Sequence, residues 1–353
     1  MLHDRVIRPD VLAMTPYHVP DARGLLKLDA MENPYTLPLA LREELARRLS
    51  ALELNRYPGP AHAELRQAVA RAFGIPAEAE VLLGNGSDEL IAIMTLATAR
   101  EDATVLAPTP SFVMYQISAL LAGSRFVGVP LRADFSLDLP ATLAAIEAHD
   151  PALVYLAYPN NPTGNCFEDD AIERIIAASR GLVVIDEAYQ PFAQQTWMGR
   201  LAEFPNLVVM RTVSKLGLAG IRIGYMAAEP SLIEQFDKVR PPYNISVLNE
   251  AAALFAIEHL ELFNGQAEHI RAGRAALVQA LESMPGVQPF PSRANFVLIR
   301  VADAPRSMQA LRARGVLVKD VSRMHRLLSG CLRVTVGTPE ENRIFLEALA
   351  ASV

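Results

Sequence analysis

The chain has 353 residues, 51% hydrophobic and 20% charged, with a formal net charge of -6 at pH 7. That composition excludes a disordered chain and bounds the protein to one large or two moderate globular domains with a full core. The acidic balance and the lack of any basic run leave no electrostatic footprint for nucleic acid or an anionic membrane, so small-molecule chemistry is the default.

Charges and prolines interrupt the first twenty residues where a signal peptide needs an apolar core, and no apolar run is long enough to cross a bilayer. A cytoplasmic location is expected. Cys166 and Cys331 are too few for a disulfide framework, and no CxxC or HExxH spacing offers a metal site.

In chain order, LALREELARRLSAL (39–52) reads as an amphipathic helix that leads into a large domain. VLLGN (81–85) reads as a short strand, and SDELIAIMTLATA after it has helical periodicity with acidic residues in its first turn. ATVLAPTP, FVGVPL, ALVYLAYP, GLVVIDEAY and NLVVMRTVS each read as a buried strand that stops at a polar or turn residue. Such runs are expected of parallel strands covered on both faces. A long helical stretch from Ser246 to Met284 follows, and ANFVLIRV and CLRVTVGT then alternate as strands of a smaller sheet. The expected class is α/β: a large domain over 36–248 with a mostly parallel central sheet flanked by helices, and a smaller α+β domain from 1–35 and 249–353.

Ligands of open α/β sheets bind beyond the carboxyl ends of the strands. Asp186 closes GLVVID, Asn161 follows ALVYLAY in YPNNPTG, and Lys215 follows NLVVMRTVS. Singly, each has a bland reading: a turn-capping aspartate, turn chemistry, a solvated lysine. Together they bring a carboxylate, an amide and an amine to one face, which matches pyridoxal phosphate chemistry. A lysine amine forms a Schiff base with the cofactor aldehyde, and a carboxylate keeps the pyridine nitrogen protonated so that the ring withdraws electrons. Asp186 is expected at that nitrogen, with Asn161 and Tyr189 at the phenolic oxygen. Gly86, Ser87 and Asp88 open a helix whose N-terminus suits the phosphate, provided that the Asp88 carboxylate turns elsewhere. Ser214 and Arg222 flank Lys215 and complete the phosphate cup, while Gly217 and Gly220 are expected to allow a close approach to it.

With YPNNPTG, VVIDEAY, RTVSK followed by AGIRIGY, LDAMENP, NRYPGP and GCLRVTVGT on the page, nearly the whole chain from Tyr17 onward resembles the fold-type I pyridoxal-phosphate aminotransferases. Within them it is most similar to the histidinol-phosphate aminotransferase family. The resemblance implies transamination between glutamate and imidazole acetol phosphate in histidine biosynthesis, carried out by a homodimer with shared active sites. It further implies that Tyr57 reaches the cofactor phosphate of the neighbouring subunit and that Phe112 stacks on the cofactor ring. Arg333 matches the family arginine for the anionic end of the substrate; a guanidinium fork suits a carboxylate and a phosphate alike. Tyr17, Asn161 and Lys319 are implied near the substrate, Lys319 where the family often has arginine. Met31 stands where the family often has asparagine, and the segment from Lys215 to Arg222 is one residue shorter than in many members.

The same residues would serve an aromatic or broad-specificity aminotransferase, and a threonine-phosphate decarboxylase shares the scaffold. A regulatory sensor built on this domain needs a DNA-binding module, for which the roughly 30 residues before the motifs are too few. GNGSDE is not GxGxxG, and no GxxxxGK[ST] occurs, so a nucleotide-binding enzyme is not expected.

Overall fold

Apolar runs that alternate their side chains between two faces make the centre of the fold. A computed structural model describes residues 2–16, 19–59 and 62–352. The strands in chain order are β1 (Leu26–Lys27), β2 (Glu80–Gly84), β3 (Thr104–Thr109), β4 (Arg125–Pro130), β5 (Leu153–Ala157), β6 (Leu182–Asp186), β7 (Leu207–Thr212) and β8 (Gly224–Ala228). They continue with β9 (Gln288–Pro289), β10 (Phe296–Arg300), β11 (Val316–Leu317), β12 (Lys319–Asp320) and β13 (Cys331–Thr335).

Seven of them form one sheet in the order β2-β8-β7-β6-β5-β3-β4, in which β8 runs antiparallel to both neighbours and the remaining pairs are parallel. Val154, Leu156, Ile185 and Val209 face one apolar layer with Ile172, Ile175 and Ile176 of the helix Asp169–Ala178. Tyr155, Val184, Val208 and Met210 face the other, against Leu90, Ile91 and Met94 of the helix Ser87–Thr98. The alternation is the period-2 geometry of a strand, and burial on both faces explains why these runs carry no polar residue until they end.

Two features depart from the sequence expectation. FVGVPL is not a buried strand: β4 lies at the sheet edge, and only Val129 along it is buried. An edge strand has one neighbour, so its alternate residues meet solvent. The fully buried antiparallel β8 was not anticipated, because its Gly-Tyr-Met-Ala-Ala run follows the glycine-bearing segment and reads as its tail.

The smaller antiparallel sheet has the order β12-β13-β10-β9, and β1 pairs in parallel with β11. Its core gathers Leu28, Met31, Ile270, Phe296, Val334 and Phe345. The long helical stretch divides at His259 into Val247–Glu258 and Leu260–Glu282. Ala253, Ala256 and Phe263 of these helices pack into the core of the large sheet, and Ala267, Ile270 and Leu277 into that of the small one. The helix Leu39–Ser50 has no buried residue and packs beside Val247–Glu258.

Candidate active site

Three adjacent strands end at one cleft. β6 terminates in Asp186, the segment after β5 carries Asn161, and Lys215 lies three residues beyond β7; all three line the cleft with Ser87, Phe112, Tyr189 and Arg222.

Asp186 is 4% exposed. One carboxylate oxygen, Oδ1, accepts from the Ala188 N–H at 3.1 Å, which is the turn-capping role that an aspartate there suggests; Oδ2 accepts from the Tyr115 hydroxyl at 2.7 Å. Burial raises its carboxyl to about 6, opposed by these two hydrogen bonds and reinforced by the Asp88 and Glu187 charges. Behind it, Glu187 and Arg211 form a buried ion pair at 2.8 Å, and Glu187 also accepts from the Thr196 hydroxyl at 2.9 Å.

Lys215 donates from Nζ to the carbonyl of Ala30 at 2.9 Å, and its ammonium lies 5.9 Å from the centre of the Tyr189 ring. Burial, and next the Arg333 charge, lowers its ammonium to about 8. An amine so depressed is suited to nucleophilic and proton-transfer work. Ala30 is presented by a tied-down segment: Met31, at φ 54°, donates its N–H to Thr335 Oγ1 at 2.9 Å and accepts from Asn295 Nδ2 at 2.9 Å.

Asn161, 6% exposed, joins two of the expected groups. Its Nδ2 donates to the Tyr189 hydroxyl at 3.2 Å, and its Oδ1 accepts from Arg333 Nη1. The Tyr189 hydroxyl also contacts Met31 Sδ at 3.5 Å, so Met31 fills the wall beside it. Arg333 is 8% exposed, donates from Nη2 to the Asp29 carbonyl at 2.9 Å, and lies over Phe296 at 5.5 Å. It is therefore not a solvent-facing strand residue. Lys319 sits directly opposite Arg333 in the β12–β13 ladder, which puts the two cations on one face of the small sheet.

At the other end of the cleft, Gly86 (φ +83°) precedes the helix Ser87–Thr98. A Cβ on Gly86 would lie 2.6 Å from Arg222 Nη2, so only glycine lets that guanidinium lie across the helix start. Arg222 also pairs with Asp88 at 3.3 Å, which is where the Asp88 carboxylate turns. The close approaches expected at Gly217 and Gly220 fall elsewhere: Gly217 is pressed against Phe263, and Gly220 has open space around it. The Ser214 hydroxyl is buried with no hydrogen-bond partner among the described residues. A buried, unsatisfied hydroxyl beside helix N–H groups and a guanidinium fits a phosphate, and the carboxylate, amide and amine fit the pyridoxal ring.

Phe112 lines the cleft and meets Tyr115 edge-on, ring centres 5.7 Å apart. Tyr57 is not in this cleft; it is 77% exposed and stacks on Tyr243 at 4.4 Å. Tyr17 lies outside the described residues. Sequence reasoning missed Tyr115, whose place in an apolar helical run, Met114–Leu121, reads as ordinary core.

The family model for aminotransferase class I and II matches residues 23–349. Histidinol-phosphate aminotransferase 2 of Cupriavidus pinatubonensis is 60% identical over 100% of this chain and 98% of its own length. Histidinol-phosphate aminotransferase 1 of Ralstonia nicotianae is 57% identical over 99% and 95%. Among solved structures, the histidinol-phosphate aminotransferase of Sinorhizobium meliloti in complex with pyridoxal-5'-phosphate superposes with a TM-score of 0.86 at 26% identity, covering 98% of this chain and 97% of that one. An amine, a carboxylate and a group of hydrogen-bond donors line one cleft at the carboxyl ends of a mostly parallel sheet, and the chain belongs to the class I and II aminotransferase family.

Proposed function

We infer that this chain is a pyridoxal-phosphate-dependent histidinol-phosphate aminotransferase, which moves an amino group between glutamate and imidazole acetol phosphate to give histidinol phosphate and 2-oxoglutarate. The observation that carries the reading is 60% identity along the entire chain to a relative of that name, with the cleft residues in place around Lys215. Bound there, pyridoxal phosphate supplies an aldehyde that exchanges amino groups and a ring that withdraws electrons from the substrate Cα–H bond. Lys215 provides the amine: enclosure lowers its ammonium, which favours the neutral form able to take the proton from the substrate Cα. Asp186 would hold the ring nitrogen, Asn161 and Tyr189 the phenolic oxygen, and Phe112 would cover the ring. The N–H groups of Ser87 and Asp88, after Gly86, hold the phosphate with Ser214 and Arg222.

Arg333 receives the anionic end of either substrate. Its place against Asn161, buried, supports that role, and Lys319 across the ladder adds a second charge for a phosphate. Tyr17 belongs to the same substrate region by sequence. The exposure of Tyr57, away from its own cleft, supports a homodimer in which it completes the partner's phosphate cup. We divide the chain into a cofactor-binding domain of 36–248 and a small domain of 1–35 and 249–353; the separate apolar cluster around Phe296 and Val334 supports the small domain from Ala267 onward, while Ala253, Ala256 and Phe263 pack with the large sheet. We place the enzyme in the cytoplasm, where a small-molecule biosynthetic reaction of this kind has its substrates; among the described residues no helix is long and apolar enough to cross a membrane.

The test is single-turnover conversion of the bound cofactor from its aldehyde to its amine form, followed by absorbance, with histidinol phosphate and separately with phenylalanine. Conversion by histidinol phosphate at much the lower concentration is expected. Equal or better conversion by phenylalanine would keep the chemistry and replace the substrate with an aromatic amino acid, whereas carbon dioxide release from threonine phosphate would make the enzyme a decarboxylase.

A further inference from the structure

Tyr115 stands apart from the residues that line the cleft, yet it touches two that do. It is fully buried, stacked on Tyr155 with ring centres 4.5 Å apart and planes 4° from parallel. That stack and the edge-on contact with Phe112 leave the phenol little rotational freedom. Its hydroxyl donates to Asp186 Oδ2 at 2.7 Å, while the Ala188 N–H occupies Oδ1 at 3.1 Å. Each carboxylate oxygen thus has one donor and further acceptor capacity for a group in the cleft that Asp186 lines.

We propose that Tyr115 is a positioning residue for Asp186: its hydroxyl fixes the plane of the carboxylate and stabilises it as an anion facing the cofactor's ring nitrogen. The physical need is plain. Asp186 lies in a buried setting with two further carboxylates near it, Asp88 and Glu187, all of which favour its neutral form. A neutral acid forms no ion pair with a protonated ring nitrogen. A hydrogen bond from a buried phenol favours the charged form, and from a fixed ring it does so in one orientation. Tyr115 also links Asp186, assigned to the edge of the ring, with Phe112, assigned to its face, so one side chain sets both.

The inference rests on the assignment of Asp186 to the ring nitrogen, and the test separates the two. Apoproteins of the wild type, Y115F, D186N, Y115F/D186N and Y155F are titrated calorimetrically with pyridoxamine phosphate, which binds without a covalent bond to Lys215. Y115F, which loses one hydroxyl and keeps the stack, is expected to weaken binding about tenfold, the cost of ionising, when the ring nitrogen binds, a carboxyl whose pKa has risen by about one. In the D186N background the same change is expected to cost less than about threefold, since there is no carboxylate left to hold. Y155F, in the same stack but with its hydroxyl on Thr95 and the Ile91 carbonyl rather than on Asp186, is expected to bind as wild type.

If D186N binds as tightly as wild type, the reading of Asp186 itself falls. If D186N weakens binding and Y115F does not, Tyr115 has no such role. Equal losses from Y115F in both backgrounds, or an equal loss in Y155F, would make Tyr115 a packing residue only.

Discussion

Enclosure that lowers the Lys215 ammonium to about 8 costs the apoprotein stability, and the cost has a sign and a pH window. Unfolded, Lys215 returns to its ordinary value of 10.5. Between about 8 and 10.5 the unfolded chain binds a proton that the folded chain does not, so stability rises with pH across that window. Below 8 both states are protonated and the full penalty for enclosing the ammonium is present. A substitution that removes the charge and keeps the length, Lys215→Met, is therefore expected to stabilise the apoprotein. Integrating the shift gives a gain of about 3 kcal/mol at pH 7, falling to about 2 kcal/mol at pH 9. Loss of the Nζ–H bond to the Ala30 carbonyl subtracts about 1 kcal/mol at every pH, so the slope is the diagnostic and the absolute difference is not. The assay is urea unfolding of cofactor-stripped wild type and K215M at pH 7, 8 and 9, at one protein concentration so that any association is held fixed. All other titrating groups are common to both proteins and cancel. A difference that stays constant from pH 7 to 9 would refute the claim that enclosure depresses this amine.

Other consequences are sharper at single positions. Gly86→Ala places a Cβ on the Arg222 guanidinium at a positive φ; cofactor affinity is expected to fall about tenfold or more, measured as pyridoxamine phosphate binding, and wild-type affinity would show that the cup does not use this approach. Glu187→Ala leaves Arg211 buried without its carboxylate and is expected to lower the unfolding free energy by about 3–5 kcal/mol, whereas E187M/R211M recovers most of that loss. Comparable unfolding midpoints for E187A and wild type would mean that solvent reaches the pair. Lys215→Ala is expected to keep the fold and abolish turnover, and residual full activity would remove Lys215 from the mechanism.

The parts of the site legible in the sequence were those that interrupt a pattern. Asp186, Asn161 and Lys215 break or follow buried apolar runs, and a polar residue at such a strand end has few reasons to be there. What was not legible depends on contacts that no local pattern encodes. The Arg333 contact joins it to Asn161 across 172 positions, and Tyr115 meets Asp186 across 71. Tyr115 also looks like any aromatic in an amphipathic helix; only its hydroxyl is unusual, and hydroxyl direction is a tertiary property. β8 was hidden for a related reason, since glycine at its start serves a close approach to the Ser87 amide rather than a turn. The positive φ at Met31, which lets this segment face Lys215, has no signature in a methionine.

The segment from Leu26 to Met31 draws its hydrogen-bond partners from far down the chain: Gly315 and Leu317 carbonyls, the Thr335 N–H, the side chains of Asn295 and Arg333, and Lys215. During synthesis it is made before all of them: its first partner, Lys215, follows some 185 residues later, and the set is complete only with Thr335. At about 5–20 residues per second, some 300 further residues take on the order of 15–60 s. Through that interval the large sheet can assemble around Lys215 while one wall of the cleft waits. One wall of the cleft is thus completed only when residues some 300 positions apart meet, and a chain that stops before Arg333 lacks the contact that ties Asp29 to that wall.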